Sequence, residues 1–115
     1  MHFYRAEALR PYNTLGLQAS AEAFVAVTSD AELLCALAWA RERHLPVVPL
    51  GEGSNIVLAG KLNALVLRQE TRGIQVLDAT DSAVFLRVAA GESWHELVQW
   101  SLQKGYFGLE NLALI

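Results

Sequence analysis

The stretch whose reading decides the fold is Val47–Leu58, "VVPLGEGSNIVL". Two glycines flank a glutamate, Ser-Asn follows, and a short apolar run stands on either side. Runs of this kind read as strands, here Val47, Val48 and Leu50 before the loop and Ile56–Leu58 after it. Gly51, Glu52, Gly53, Ser54 and Asn55 then form a connection whose backbone can be approached closely. Glycine has no Cβ, successive amides turned one way make an anion-binding nest, and Ser54 and Asn55 add side-chain donors. A pyrophosphate suits such a loop. Two familiar phosphate motifs fail on context: a P-loop needs a Lys-Ser/Thr pair and a following helix, and the dinucleotide fingerprint needs a third glycine opening a helix. A tight strand-to-strand connection, with glycines placed for geometry alone, accounts for the five residues by themselves equally well.

Working outward, Ala21–Val27 ("AEAFVAV") is rich in β-formers and precedes "TSDAELLCALAWARERH". Ser29 can cap a helix there with Glu32 reaching back, a capping box. Leu33, Leu34, Leu37 and Ala40 recur at helical spacing, so the pattern predicts an amphipathic helix from about Asp30 to His44 with those four side chains inward. Cys35 falls within it and is expected to be a buried thiol. Arg41 and Arg43, with Glu42, read as a solvated helix end near the negative pole of the dipole. Pro46 stops the helix. Beyond the glycine loop, Ala59–Asn63 reads as a turn and Ala64–Arg68 as a strand, which completes a β-α-β-β unit.

A second unit follows. Gly73–Gly91 reads as two strands joined by the polar turn Asp78–Ser82, with Val84, Leu86 and Val88 on one face of the second strand. "SWHELVQWSLQKG" reads as a helix capped by Ser93, with Glu96 reaching back, Leu97, Val98 and Leu102 as its buried stripe, and Gly105 as its stop. Trp94 and Trp100 beside that stripe are expected in the core rather than against a ligand. The α+β chain therefore divides into residues 1–68 and 69–115.

Composition limits what this scaffold can serve. The 115 residues are 53% hydrophobic and 18% charged with a formal charge of −3, apolar for a free-standing domain and without the basic stripe that nucleic acid requires. No apolar run is long enough for a membrane span and no leader pattern opens the chain, so no membrane partner is expected and the cytosol is the expected compartment. One cysteine gives neither an intramolecular disulfide nor a thiolate metal site. His2, His44 and His95 are widely spaced surface residues without ligand partners, so no metal is expected. The closing "GLENLALI" reads as a cut through a continuing structure, and a cut of this kind would offer apolar faces for self-association.

Four segments in order, "PYNTLG" (Pro11–Gly16), "PLGEGSNIVL" (Pro49–Leu58), "AGESWHELVQWSLQKG" (Ala90–Gly105) and "GLENLALI" (Gly108–Ile115), resemble the N-terminal part of the UDP-N-acetylenolpyruvoylglucosamine reductase family. The resemblance runs from about Leu9 to Ile115. It implies the FAD-binding fold of the vanillyl-alcohol oxidase and p-cresol methylhydroxylase type, in which two α+β subdomains grip the flavin. Residues 1–68 would be the first and 69–115 the beginning of the second, with the substrate domain absent.

Further expectations follow from the resemblance alone. FAD is the cofactor, NADPH the hydride donor of the parent enzyme, and a UDP-sugar enolpyruvate its substrate in peptidoglycan precursor synthesis. Gly51, Glu52, Gly53, Ser54 and Asn55 match the loop that holds the FAD pyrophosphate. Asn13 and Thr14 match the Asn-Thr pair that precedes an aromatic and a glycine, with Leu15 in the aromatic place; turn formation is the competing role for the pair. Glu110 and Asn111 lead toward a Pro-Gly turn that these residues do not include. No residue matches the family's serine, glutamate and arginine of catalysis, so the chain alone is expected to be inactive. A non-catalytic nucleotide-binding or assembly module, and an FAD oxidase of the same fold with another substrate, remain the rival readings.

Overall fold

The computed structural model describes residues 1–8, 19–51 and 60–112. Strands β1 (Tyr4–Ala8), β2 (Ala19–Val27), β3 (Val47–Leu50) and β4 (Gly60–Gln69) form one sheet in the order β1-β2-β4-β3, with helix α1 (Asp30–Glu42) between β2 and β3. β4 runs parallel to both β2 and β3, whereas β1 is an antiparallel edge. The hairpin β5 (Ile74–Ala79) and β6 (Val84–Val88) forms a separate two-stranded sheet, followed by α2 (Trp94–Gln103) and a 3₁₀ turn at Glu110–Leu112.

The central strands read as unbroken apolar runs because both of their faces are covered. Ala23, Val25, Val27, Leu65 and Leu67 pack with Ala36 and Ala40 of α1, while Ala21, Phe24, Leu50 and Val66 form a second buried cluster. Val47 turns toward the first cluster and Val48 toward the second, the period-2 alternation of a strand.

Several expectations change. The Ala59–Asn63 turn is replaced by strand from Gly60, because pairing with Ala19–Ala21 of β2 extends β4 beyond its apolar segment. The strand expected at Ile56–Leu58 lies outside the described residues. Helix α1 buries Ala36 and Ala40 and half-buries Leu33, but Leu34 is 67% exposed and Leu37 37% exposed. The sheet approaches so closely that alanines fill the contact, and the bulky leucines fall on the flank. Cys35, next to Leu34, is exposed rather than buried. In α2, Leu97, Val98 and Ser101 face inward while Leu102 and Trp94 remain exposed.

Helix ends follow local chemistry more closely. Ser29 Oγ accepts from Glu32 N at 3.1 Å, but the Glu32 carboxylate accepts from Thr28, both N and Oγ1 at 2.8 Å, one residue earlier than the box predicts. Ser93 Oγ accepts from Glu96 N at 3.3 Å, and the Glu96 carboxylate lies 3.8 Å from Arg72 instead of capping. Both helices close with a Schellman motif. In α1, Leu45 N donates to Ala40 O and His44 N to Arg41 O, so the helix has ended before Pro46. His44 occupies the left-handed position with φ 54°. In α2, Tyr106 N donates to Ser101 O and Gly105 N to Leu102 O, with Gly105 at φ 77°. Arg43 folds back to donate to Trp39 O and lies 4.1 Å above the Trp39 ring, whose other neighbour is Phe3, stacked at 4.3 Å.

Candidate cofactor-binding site

The parallel strands place their carboxyl ends together, where ligands of open α/β sheets collect. Thr28 follows β2, Gly51 follows β3, and Arg68 and Gln69 end β4. With Glu70, Arg72 and Gly91 they line a cavity of about 360 Å³. The register explains the convergence: Leu50 pairs with Arg68 and Val27 with Gln69, so β2 and β3 stop level with the end of β4. Glu70 N then donates to Val27 O at 2.8 Å, turning the chain across the strand ends.

The cavity is polar and carries both signs of charge. Arg68 Nε is 3.2 Å from Glu70, and Arg72 Nη1 is 3.5 Å from Glu92. Gln69 Oε1 accepts from Thr71 Oγ1 at 3.4 Å, which leaves the amide NH₂ as a donor. The Thr28 hydroxyl is spent on Glu32. Those two Thr28 hydrogen bonds, aided by the N-terminal ammonium 4.0 Å away and opposed by burial, hold the Glu32 carboxyl below its usual value near 4.5. The two glycines of the cavity serve different ends. A side chain at Gly51 would meet nothing within 4 Å, whereas one at Gly91 would run into the Glu70 and Thr71 backbone. Among the described residues Gly51 therefore has room for a side chain, whereas Gly91 permits two backbones to touch.

Of the residues expected at the site, Gly51 lines this cavity. Glu52, Gly53, Ser54, Asn55, Asn13 and Thr14 lie outside the described residues. Glu110 turns its carboxylate back onto Gly108 N at 3.1 Å. Sequence reasoning missed Thr28, Arg68, Gln69, Arg72 and Gly91; the available signal was "RQETR" (Arg68–Arg72), a polar run directly after an apolar strand. A second cavity, of about 780 Å³, opens between the hairpin and α2, lined among others by Leu86, Trp94, Leu97, Tyr106 and Phe107. Trp94 thus faces a cleft instead of the core, while Trp100 is half-buried and 5.9 Å from the Tyr106 ring.

Residues 21–115 match the FAD binding domain family, and the chain belongs to it. Guanidinium and amide donors at the strand ends beside Gly51 fit the anionic centre of such a cofactor.

Among known proteins the chain is 44% identical to the UDP-N-acetylenolpyruvoylglucosamine reductase of Pseudomonas fluorescens over 94% of its own length and 32% of the relative's. It is 46% identical to the Paraburkholderia phymatum reductase over 93% of its own length and 31% of that protein, and 42% identical to the Escherichia coli reductase over 94% and 31%. The crystal structure of UDP-N-acetylenolpyruvylglucosamine reductase from Thermus caldophilus superposes with a TM-score of 0.62 at 25% identity, covering 96% of this chain and 36% of that one. The chain spans about a third of the length of the curated relatives it matches.

Proposed function

We propose that this chain is the N-terminal FAD-binding portion of a bacterial enzyme that reduces UDP-N-acetylglucosamine enolpyruvate to UDP-N-acetylmuramate with NADPH, in cytoplasmic peptidoglycan precursor synthesis. The observation that carries the reading is identity of 41–46% to reductases of this name over 90% or more of the chain. Residues 1–68 form the first cofactor subdomain and 69–115 the beginning of the second. The flavin, when bound, supplies the two-electron chemistry that passes hydride from a nicotinamide to the substrate double bond. The chain's own part is to bind and orient it. In this reading, Gly51, Glu52, Gly53, Ser54 and Asn55 cradle the pyrophosphate, Asn13 and Thr14 are further cofactor-binding residues, and Arg68, Gln69 and Arg72 present donors at the strand ends. None of the 115 residues matches a proton donor to the substrate carbon, so the expected behaviour of the chain alone is weak cofactor binding at most and no turnover.

The test is a titration of the purified chain with FAD followed by flavin fluorescence, beside a Ser54→Ala/Asn55→Ala variant. Saturable binding that the variant loses supports the cradle. Equal binding by both chains refutes it, and NADPH oxidation with the UDP-sugar by the 115 residues alone would refute the division of labour.

A further inference from the structure

The outer face of α1 carries a stripe that is exposed among the described residues. Asp30, Leu34, Leu37 and Arg41 follow one another at steps of four, three and four residues, the spacing that keeps side chains in one line along a helix. The line lies away from Ala36 and Ala40, which pack into the core against the sheet. Leu34 is 67% exposed and Leu37 37% exposed; Ala38 beside them is exposed, and so are both charged ends. Among the described residues neither Asp30 nor Arg41 enters an ion pair, whereas the nearby Glu32 and Glu42 are taken up by Thr28 and Arg43.

The order along the stripe is acid, leucine, leucine, base, and its steps read the same from either end. A second α1 turned end for end therefore presents a complementary row. Its Arg41 meets Asp30, its Leu37 meets Leu34, and each contact occurs twice about a two-fold axis that crosses the helix between Cys35 and Ala36. Isologous interfaces require this self-complementarity, and a parallel alignment would set acid on acid and base on base. Each charge also suits its own helix pole, acid in the first turn and base in the last. The dipole does not account for two exposed leucines in register between them.

We propose that two copies of this chain associate through α1, antiparallel, with Leu34 and Leu37 as the apolar centre and Asp30 and Arg41 as the ion pairs that fix direction. The 13 residues of α1 give a seam of about 20 Å, too short for a standard interface of about 1,600 Å². The pairing is therefore reversible, with a dissociation constant on the order of 100 µM. None of the four residues lines the strand-end cavity, so the association stands apart from the cofactor reading.

Sedimentation equilibrium of the full chain between roughly 10 µM and 1 mM tests it. The expected result is self-association of the parent, weakened roughly tenfold in Asp30→Arg and in Arg41→Asp, and restored when those two variants are mixed, because each then meets the charge it lacks. A role of either charge within α1 alone would not be rescued by mixing. A parent that stays monomeric throughout overturns the proposal and leaves the stripe to another segment of a longer protein. Self-association that neither reversal weakens, or that mixing does not restore, overturns it in favour of another face. Far-UV circular dichroism checks that each variant folds; should Asp30→Arg lose its helix, Leu34→Gln carries the comparison, with an expected weakening of the same size.

Discussion

Gly91→Ala is the most demanding test of the contact between the Gly91 turn and the Glu70–Thr71 backbone, because the structure leaves no soft atom to yield. A Cβ at residue 91 would lie 2.5 Å from Thr71 N and 2.6 Å from the Glu70 carbonyl carbon, and closer still to Thr71 O. All three are backbone, so relief requires the two chain segments to part by about an ångström from ordinary carbon contact distances. Overpacking of this kind costs roughly 1–3 kcal/mol. With a urea slope of about 1.5 kcal/mol per molar, the unfolding midpoint falls by roughly 1 M or more. Gly51→Ala is the matched control: its Cβ meets nothing within 4 Å and its φ is not in the left-handed region, so the midpoint changes by less than about 0.5 M. Urea titrations followed by tryptophan fluorescence and far-UV circular dichroism measure both. A Gly91→Ala midpoint equal to the parent's would refute the close approach of the two backbones. A Gly51→Ala chain destabilised as much would refute the distinction between the cavity's two glycines.

Three further outcomes are expected. His44→Gly relieves left-handed strain at φ 54°, worth roughly 1 kcal/mol and partly offset by the freedom glycine gains in the unfolded chain; thermal unfolding should rise by a few degrees, and a fall would contradict the Schellman geometry. Ser29→Ala removes the α1 cap and should cost about 1 kcal/mol in urea, whereas a neutral result would mean that the Glu32 contact to Thr28 alone holds the first turn. Because the folded chain depresses the Glu32 carboxyl below 4.5, the unfolded chain binds more protons as pH falls through that value. Its contribution is therefore complete above pH 4.5 and lost below it, so stability measured between pH 3 and 6 should be less steep in Glu32→Gln, and parallel profiles would count against the assignment.

Much of both units is legible locally, since capping hydroxyls, a helical period and buried strands are encoded within a few residues of where they act. Ser29 and Ser93 cap their helices, and Gly105 closes α2 as its lack of a Cβ allows. The inward face of α1 was misread because periodicity ranks residues by hydrophobicity. The choice of Ala36 and Ala40 over Leu34 and Leu37 is made by how closely the sheet approaches. The exposure of Cys35 follows from the same packing.

Gly51 could be suspected from its neighbours, and the FAD family from motifs in order, because both are carried by contiguous residues. Arg68, Gln69, Arg72 and Gly91 could not. They become one cavity through the level ends of β2, β3 and β4 and through the approach of the Gly91 turn to the Glu70–Thr71 backbone some twenty positions away. By itself the sequence determined the elements, their caps and the family, all of which depend on short-range chemistry. Only the tertiary structure decided which leucines face water, where the strands end together, and that the Gly91 turn lies against the Glu70–Thr71 backbone, because those depend on distances between segments that no local pattern records.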